Sequence, residues 1–186
     1  MPCSFLLDDK QLASISQLIS VKLCCFEAKA LSIRKHGMCR AYASDCRIVF
    51  KRSDQLLSLI DIKCSWFETN EYLDTKILSF SDVEEYGALT KTDMPNSVWL
   101  SDETVSGIDI YTRSYSRNNE SAAYDSFIVL KTDKNNDILL GTDEDISDNL
   151  FLAQVSEAQL LRYIEEQKET KFSEYAIDIH RRVHLG

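Results

Sequence analysis

Apolar residues along this chain follow two rhythms, a helical one near each end and a period of two through most of the middle. Leu12, Ile15, Leu18 and Ile19 recur at three- and four-residue spacing behind Asp8 and Asp9, either of which can accept from the free amides of a first turn. That pattern predicts an amphipathic helix near 9–20. In the next stretch, to Gly37, Glu27, Ala28, Lys29 and Ala30 favour helix, but Leu23, Cys25, Leu31 and Ile33 share one strand face. The alternation is read as a strand.

From His36 a meander is expected. His36-Gly37, Ser44-Asp45 and Ser53-Asp54-Gln55 are turn signals, and Cys46, Ile48 and Phe50 alternate with Arg47, Val49 and Lys51. Leu56, Ile60, Ile62, Cys64 and Trp66 then form one apolar phase with Ser58 its only polar member, against Asp61, Lys63 and Ser65, as in a sheet with one buried face. Residues 68–96 are polar apart from Ile77–Phe80 and end at a Pro95-Asn96 turn, so they read as a loop-rich acidic excursion.

Strands are expected again at Val98–Leu100, Val105–Thr112, Tyr124–Thr132 and Asp137–Gly141, the last two joined by the turn formers Asp133 to Asn136. Ser156 can cap a second helix with the stripe Ala158, Leu160, Leu161 and Ile164. The tail alternates Tyr175, Ile177 and Ile179 with Ala176, Asp178 and His180 and reads as a closing strand. The fold class is therefore α+β, a mainly antiparallel meander with an N-terminal helix and a helix near the C-terminus, in a single domain spanning 1–186.

Composition agrees with a folded chain: 186 residues, 44% hydrophobic, 27% charged, with only five Gly and two Pro. The start, MPCSFLLDDKQ, lacks a basic leader, and no segment nears the ~18 apolar residues of a membrane span, so a cytoplasmic protein with no membrane partner is expected. Six cysteines (Cys3, Cys24, Cys25, Cys39, Cys46, Cys64) show no C-x₂-C pair. They are read as reduced, with Cys46 and Cys64 packing as small apolar residues.

Motifs for catalysis or cofactors are weak. Asp133, Asn135, Asp137 and Glu144 take positions one, three, five and twelve of a calcium loop, but Ile138 stands where the sharp turn needs Gly, and a hairpin explains the stretch better. His180 and His184 are spaced for one face of a helix or strand, yet Arg181 and Arg182 lie between them and repel a metal; a solvated terminus is the expectation. There is no G-x-S-x-G elbow, phosphate loop or dinucleotide fingerprint. No cofactor, metal or catalytic residue is assigned.

Charge is where the sequence departs from the ordinary. The net charge is −9, but residues 1–67 hold ten Lys/Arg against six Asp/Glu, while residues 68–109 hold two against ten. Residues 133–148 add six acids and one lysine. Such a chain repels nucleic acid and suits a basic protein partner. The acids expected to be exposed and partner-binding are Asp82, Glu84, Glu85, Asp102, Glu103, Asp143, Glu144 and Asp145; the expected aromatic anchors are Tyr72, Tyr86, Trp99 and Tyr111. In physical character this is similar to bacterial immunity proteins, which protect a cell from nuclease toxins, although no motif marks a family; mimicry of DNA phosphate by the carboxylates is the narrower version of this expectation. The competing expectation is a small hydrolase-like enzyme whose site assembles from dispersed Asp, Glu, His or Cys residues. Oligomeric state is not set by the sequence.

Overall fold

Long strands with apolar residues on both faces need cover on both sides, and two helices supply part of it. A computed structural model describes residues 2–36, 38–53, 55–69, 73–80, 83–86, 96–100, 102–118, 120–142, 150–168 and 176–186. In chain order the elements are β1 (Pro2–Phe5), α1 (Asp9–Ser16), β2 (Lys22–His36), β3 (Met38–Arg52), β4 (Gln55–Thr69), β5 (Leu73–Ser79), β6 (Val83–Glu85), β7 (Asn96–Trp99), β8 (Val105–Arg117), β9 (Glu120–Thr132), β10 (Asp137–Thr142), β11 (Leu150–Val155), α2 (Glu157–Lys168) and β12 (Ala176–Leu185). This is an α+β fold dominated by one antiparallel sheet, with helices near the two ends of the chain. Among the described residues no helix is long and apolar enough to cross a membrane.

Both helices start where side chains can satisfy free amides. Asp8 accepts from the Gln11 amide at 2.8 Å while Gln11 reaches back to the Asp8 amide, a capping box. Ser156 accepts from the Gln159 amide, and the Gln159 side chain accepts from the Ser156 amide in return. The sheet order is β12-β8-β9-β10-β11-β3-β2-β7, with β1 parallel to β9, β4 on β3, and β5 and β6 on β4.

The sheet also curls until its flanks meet. Val105, at the entry to β8, accepts from Ser20 and donates to Val21, while the Leu23 amide donates to the Glu103 carbonyl. A bridge between Lys22 and Thr104 completes this seam. Leu23, Phe26, Ile48, Phe50, Ile108, Ile110, Leu130 and Leu140 meet on the enclosed face, joined by Ile15 and Leu18 from the N-terminal helical segment. On the other face α2 lays Leu160, Tyr163 and Ile164 over Phe127, Val129, Leu139 and Phe151.

Gly141 shows how tightly that outer layer is packed. A Cβ there would stand 2.9 Å from the Phe151 ring and 3.1 Å from Phe127 Cβ. Phe151 cannot retreat, since it is fully buried and packs edge-on against Tyr163 with ring centroids 5.7 Å apart. Gly141→Ala is expected to lose about 1–3 kcal/mol in urea unfolding by overpacking.

Several expectations need correction. Residues 68–96 are not mainly loop where described, because β4 runs to Thr69, β5 pairs with it, and β6 and β7 follow. Ser44-Asp45 is no turn: β3 passes straight through, and the enclosed positions change there from Cys46 and Ile48 to Ala43 with no slip of register against β2. Of the β4 side chains only Gln55 and Leu57 are described; Leu57 is buried opposite Phe50, and one residue is inserted where Cys46 pairs with Ile62 but Ile48 with Leu59. The inserted residue interrupts the strict alternation expected from Leu56 to Trp66; the side chains of that phase, Leu56, Ser58, Ile60, Ile62, Cys64 and Trp66, lie outside the described residues. β1 and β11 were not expected, and β8 and β9 are longer than their apolar cores because polar Ser and Arg positions continue the pairing to Arg117 and Glu120.

Candidate partner-binding site

The first half of β2 collects most of the described candidates on one flank of the sheet. Its partner β7 pairs Trp99 with Cys25 and Ser97 with Glu27. On its other side β3 places Arg47 opposite Glu27. β6, held on β4, leads directly into Tyr86, whose hydroxyl donates to Glu27 at 2.9 Å. Beyond β7 the chain turns at Asp102, in the left-handed region with φ 55° that Asp tolerates better than most residues, and enters the seam with β2.

At the centre of this flank lies a charge pair withdrawn from water. Arg47 is only 1% exposed and is among the largest fully buried side chains. Its Nε donates to Glu27 at 2.7 Å, its Nη2 lies 2.6 Å from the same carboxylate, and its guanidinium sits 5.0 Å over the Tyr86 ring. Burial, and then the Glu27 hydrogen bond, raise the Tyr86 hydroxyl above its usual pKa. Burial, with the Glu27 charge beside it, pushes the Cys25 thiol up to about 12, so it stays protonated and inert. These groups fix the chain rather than activate a nucleophile.

The two acidic segments meet at the end of β2. Asp133, opening the β9–β10 turn, accepts from the Thr104 amide at 3.1 Å and donates its own amide to the Thr104 carbonyl. Asn136 donates to Glu103 at 2.9 Å. This tie leaves Asp102 and Asp133 exposed on the same rim. Beside them the half-buried Cys24 thiol is raised by burial and then by the Asp102 charge, with Lys51 opposing.

Not every expected acid reaches the surface. Glu103 is 2% exposed and is thus removed from the partner-binding set; it faces inward because its backbone closes the seam with β2. Asp109 is also buried and accepts from Arg181, with His184 Nδ1 at 2.7 Å. Asp137 is buried and holds Lys131 and the Thr132 amide. Burial lowers the Lys131 pKa, but the hydrogen bond and charge of Asp137 more than offset this and raise it. Glu85 and Asp102 are exposed as expected. Tyr86 is half-buried on this flank, while Tyr111 is on β8 away from it, stacked on Phe127 with centroids 4.7 Å apart. Asp82, Asp143, Glu144, Asp145 and Tyr72 lie outside the described residues, as do the side chains of Glu84 and Trp99.

The second network missed from sequence anchors β12. Asp125, 1% exposed, accepts from the Leu7 amide at 2.8 Å, Thr112 Oγ1 at 2.6 Å and Arg182 Nε at 3.0 Å, with Arg182 Nη2 on its other oxygen. Arg182 occupies a bulge, since β12 shifts register against β8 between Arg181 and Val183. The added residue also puts His180, opposite Thr112, and His184, opposite Asp109, on different faces, so the four-residue spacing builds no shared site, and the tail is a paired strand instead of a frayed end. Among the described residues no group of three His, Cys, Asp or Glu is placed to hold a metal.

A cavity of about 180 Å³ lies away from both networks, between β2, β3, β7, β10 and β11. Ile33, Ala41, Val98, Leu100, Ile138 and Leu152 make it chiefly apolar. Set against protein-family models, curated proteins and solved structures, the chain matches none.

Proposed function

We propose that this protein is a binding partner of the immunity-protein or antitoxin kind, acting in the cytoplasm and using the acidic flank around β2 to hold a basic protein such as a nuclease toxin. The observation that carries this reading is the tie between residues 102–104 and the β9–β10 turn, which brings two acidic segments from distant parts of the chain onto one rim. Asp102 and Asp133 supply exposed charge there, and Glu85 supplies it beside Tyr86. Such charge steers and selects a basic partner, while Tyr86, already held by Glu27, is a partly exposed aromatic anchor that loses little freedom on binding.

The described ionisable clusters favour binding over catalysis. Glu27 with Arg47, Asp125 with Arg182, and Asp109 with Arg181 and His184 are engaged in fixed pairs, and the cavity is lined mainly by apolar side chains. A catalytic acid or base needs a group convergent on a pocket and tuned for proton transfer.

The test is capture of the partner from the native host by the purified protein, compared with a Glu85→Lys/Asp102→Asn variant. Asn suits the left-handed backbone at 102 and removes only the charge. Wild type is expected to enrich a basic protein that the variant loses, with both melting at the same temperature within about 2 °C. Equal capture by the two would sink the proposal.

A further inference from the structure

The geometry points to a small-anion site on the sheet face that α2 covers in part: Arg34 and Arg40 together receive the phosphate group of a small molecule. The two residues stand directly opposite each other on β2 and β3, so both side chains leave the same face, the one that carries Tyr42, Phe151 and Tyr163. The Arg34 guanidinium carbon lies 5.0 Å from the centre of the Tyr42 ring. That of Arg40 lies 4.9 Å from the centre of Phe151 and 5.3 Å from that of Tyr163. Tyr42 and Phe151 are themselves neighbours, with ring centroids 6.1 Å apart. Each arginine thus reaches diagonally over the next strand, and one aromatic floor carries both cations.

Like charges directly opposite each other on neighbouring strands repel. Stacking on a ring engages the flat face of a guanidinium and leaves the N–H donors around its edge. Arg47, also stacked on a tyrosine, has Glu27 on that edge. Arg34 and Arg40 have no such carboxylate among the described residues, and the buried Arg40 Nε has no hydrogen-bond partner. A phosphate dianion supplies what this pair lacks: two negative charges, and enough oxygens to accept from both guanidinium edges. The net charge of −9 works against an extended polyanion, so the ligand is a small one. This site lies beyond the acidic flank on β2 and does not depend on it; either can fail without the other.

The probes are inorganic phosphate and phenyl phosphate, each titrated into the intact protein at constant ionic strength against sodium chloride and followed by amide NMR shifts. Both phosphates are expected to shift residues 32–34 and 40–42, and chloride is not. Tighter binding of phenyl phosphate would mark an organic monoester as the ligand; tighter binding of inorganic phosphate would mark the free ion. Arg34→Gln and Arg40→Gln should each weaken binding about tenfold or more, whereas Arg162→Gln on α2, where the guanidinium pairs with Glu166, should leave it unchanged. Circular dichroism checks that each variant is folded, and the exposed Arg34 keeps the test decisive if losing the Arg40 stacking unfolds the chain. The proposal is overturned if neither phosphate shifts these residues, if chloride reproduces the effect, or if folded Arg34→Gln binds as tightly as wild type.

Discussion

Glu27→Ala is expected to destabilise the protein by about 3–5 kcal/mol in urea unfolding, because it strands a buried guanidinium that has no route back to water. Arg47 is embedded between β2 and β4, with Glu27 on its Nε and Nη2 and the Tyr86 ring beneath it. Losing the carboxylate also removes the acceptor of the Tyr86 hydroxyl, so the end of β6 should loosen. Replacing both charges, as Glu27→Leu with Arg47→Met, should recover most of the loss, since two apolar side chains of similar size carry no desolvation cost. A Glu27→Ala loss under about 1 kcal/mol would mean that water reaches Arg47 and that the flank is less tightly fixed than described.

Asp125→Ala is expected to cost a similar ~3–5 kcal/mol, with a different spatial signature. Asp125 gathers Leu7 before α1, Thr112 on β8 and Arg182 on β12, so one carboxylate joins both ends of the chain to the middle of the sheet. Amide exchange should therefore accelerate in β1 and β12 first, with β2 and β3 little affected. Uniform acceleration across all strands would contradict the local role given to this residue.

Much of the architecture was legible because it depends on local pattern. The capping Asp8 and Ser156, the hairpin turns at Ser53 and at Asp133 to Asn136, and the alternation of Cys46, Ile48 and Phe50 all act through near neighbours in sequence. What the pattern missed depends on registry. A bulge in β4 interrupts its alternation, and a bulge in β12 separated two histidines that four-residue spacing had placed together.

The site divides the same way. Charge segregation marked Glu85 and Asp102, but composition treats every carboxylate as equally available to solvent. Glu103, Asp109 and Asp137 are taken up by partners 33, 75 and six residues away. Glu27 and Arg47 gave no signal at all, since a charged residue on the polar phase of a strand looks solvent-facing until another strand covers it. Only the spacing of Arg47 among apolar alternates hinted at a strand, and nothing in it named the partner.

The most direct measurement is calorimetric titration of the captured basic partner into wild-type protein and into the Glu85→Lys/Asp102→Asn variant, at low and at high salt. Wild type should bind more weakly as salt rises, and the variant should bind at least about tenfold more weakly at low salt with a smaller salt dependence. Equal affinities at low salt, or affinities indifferent to salt, would contradict an acidic flank as the seat of binding.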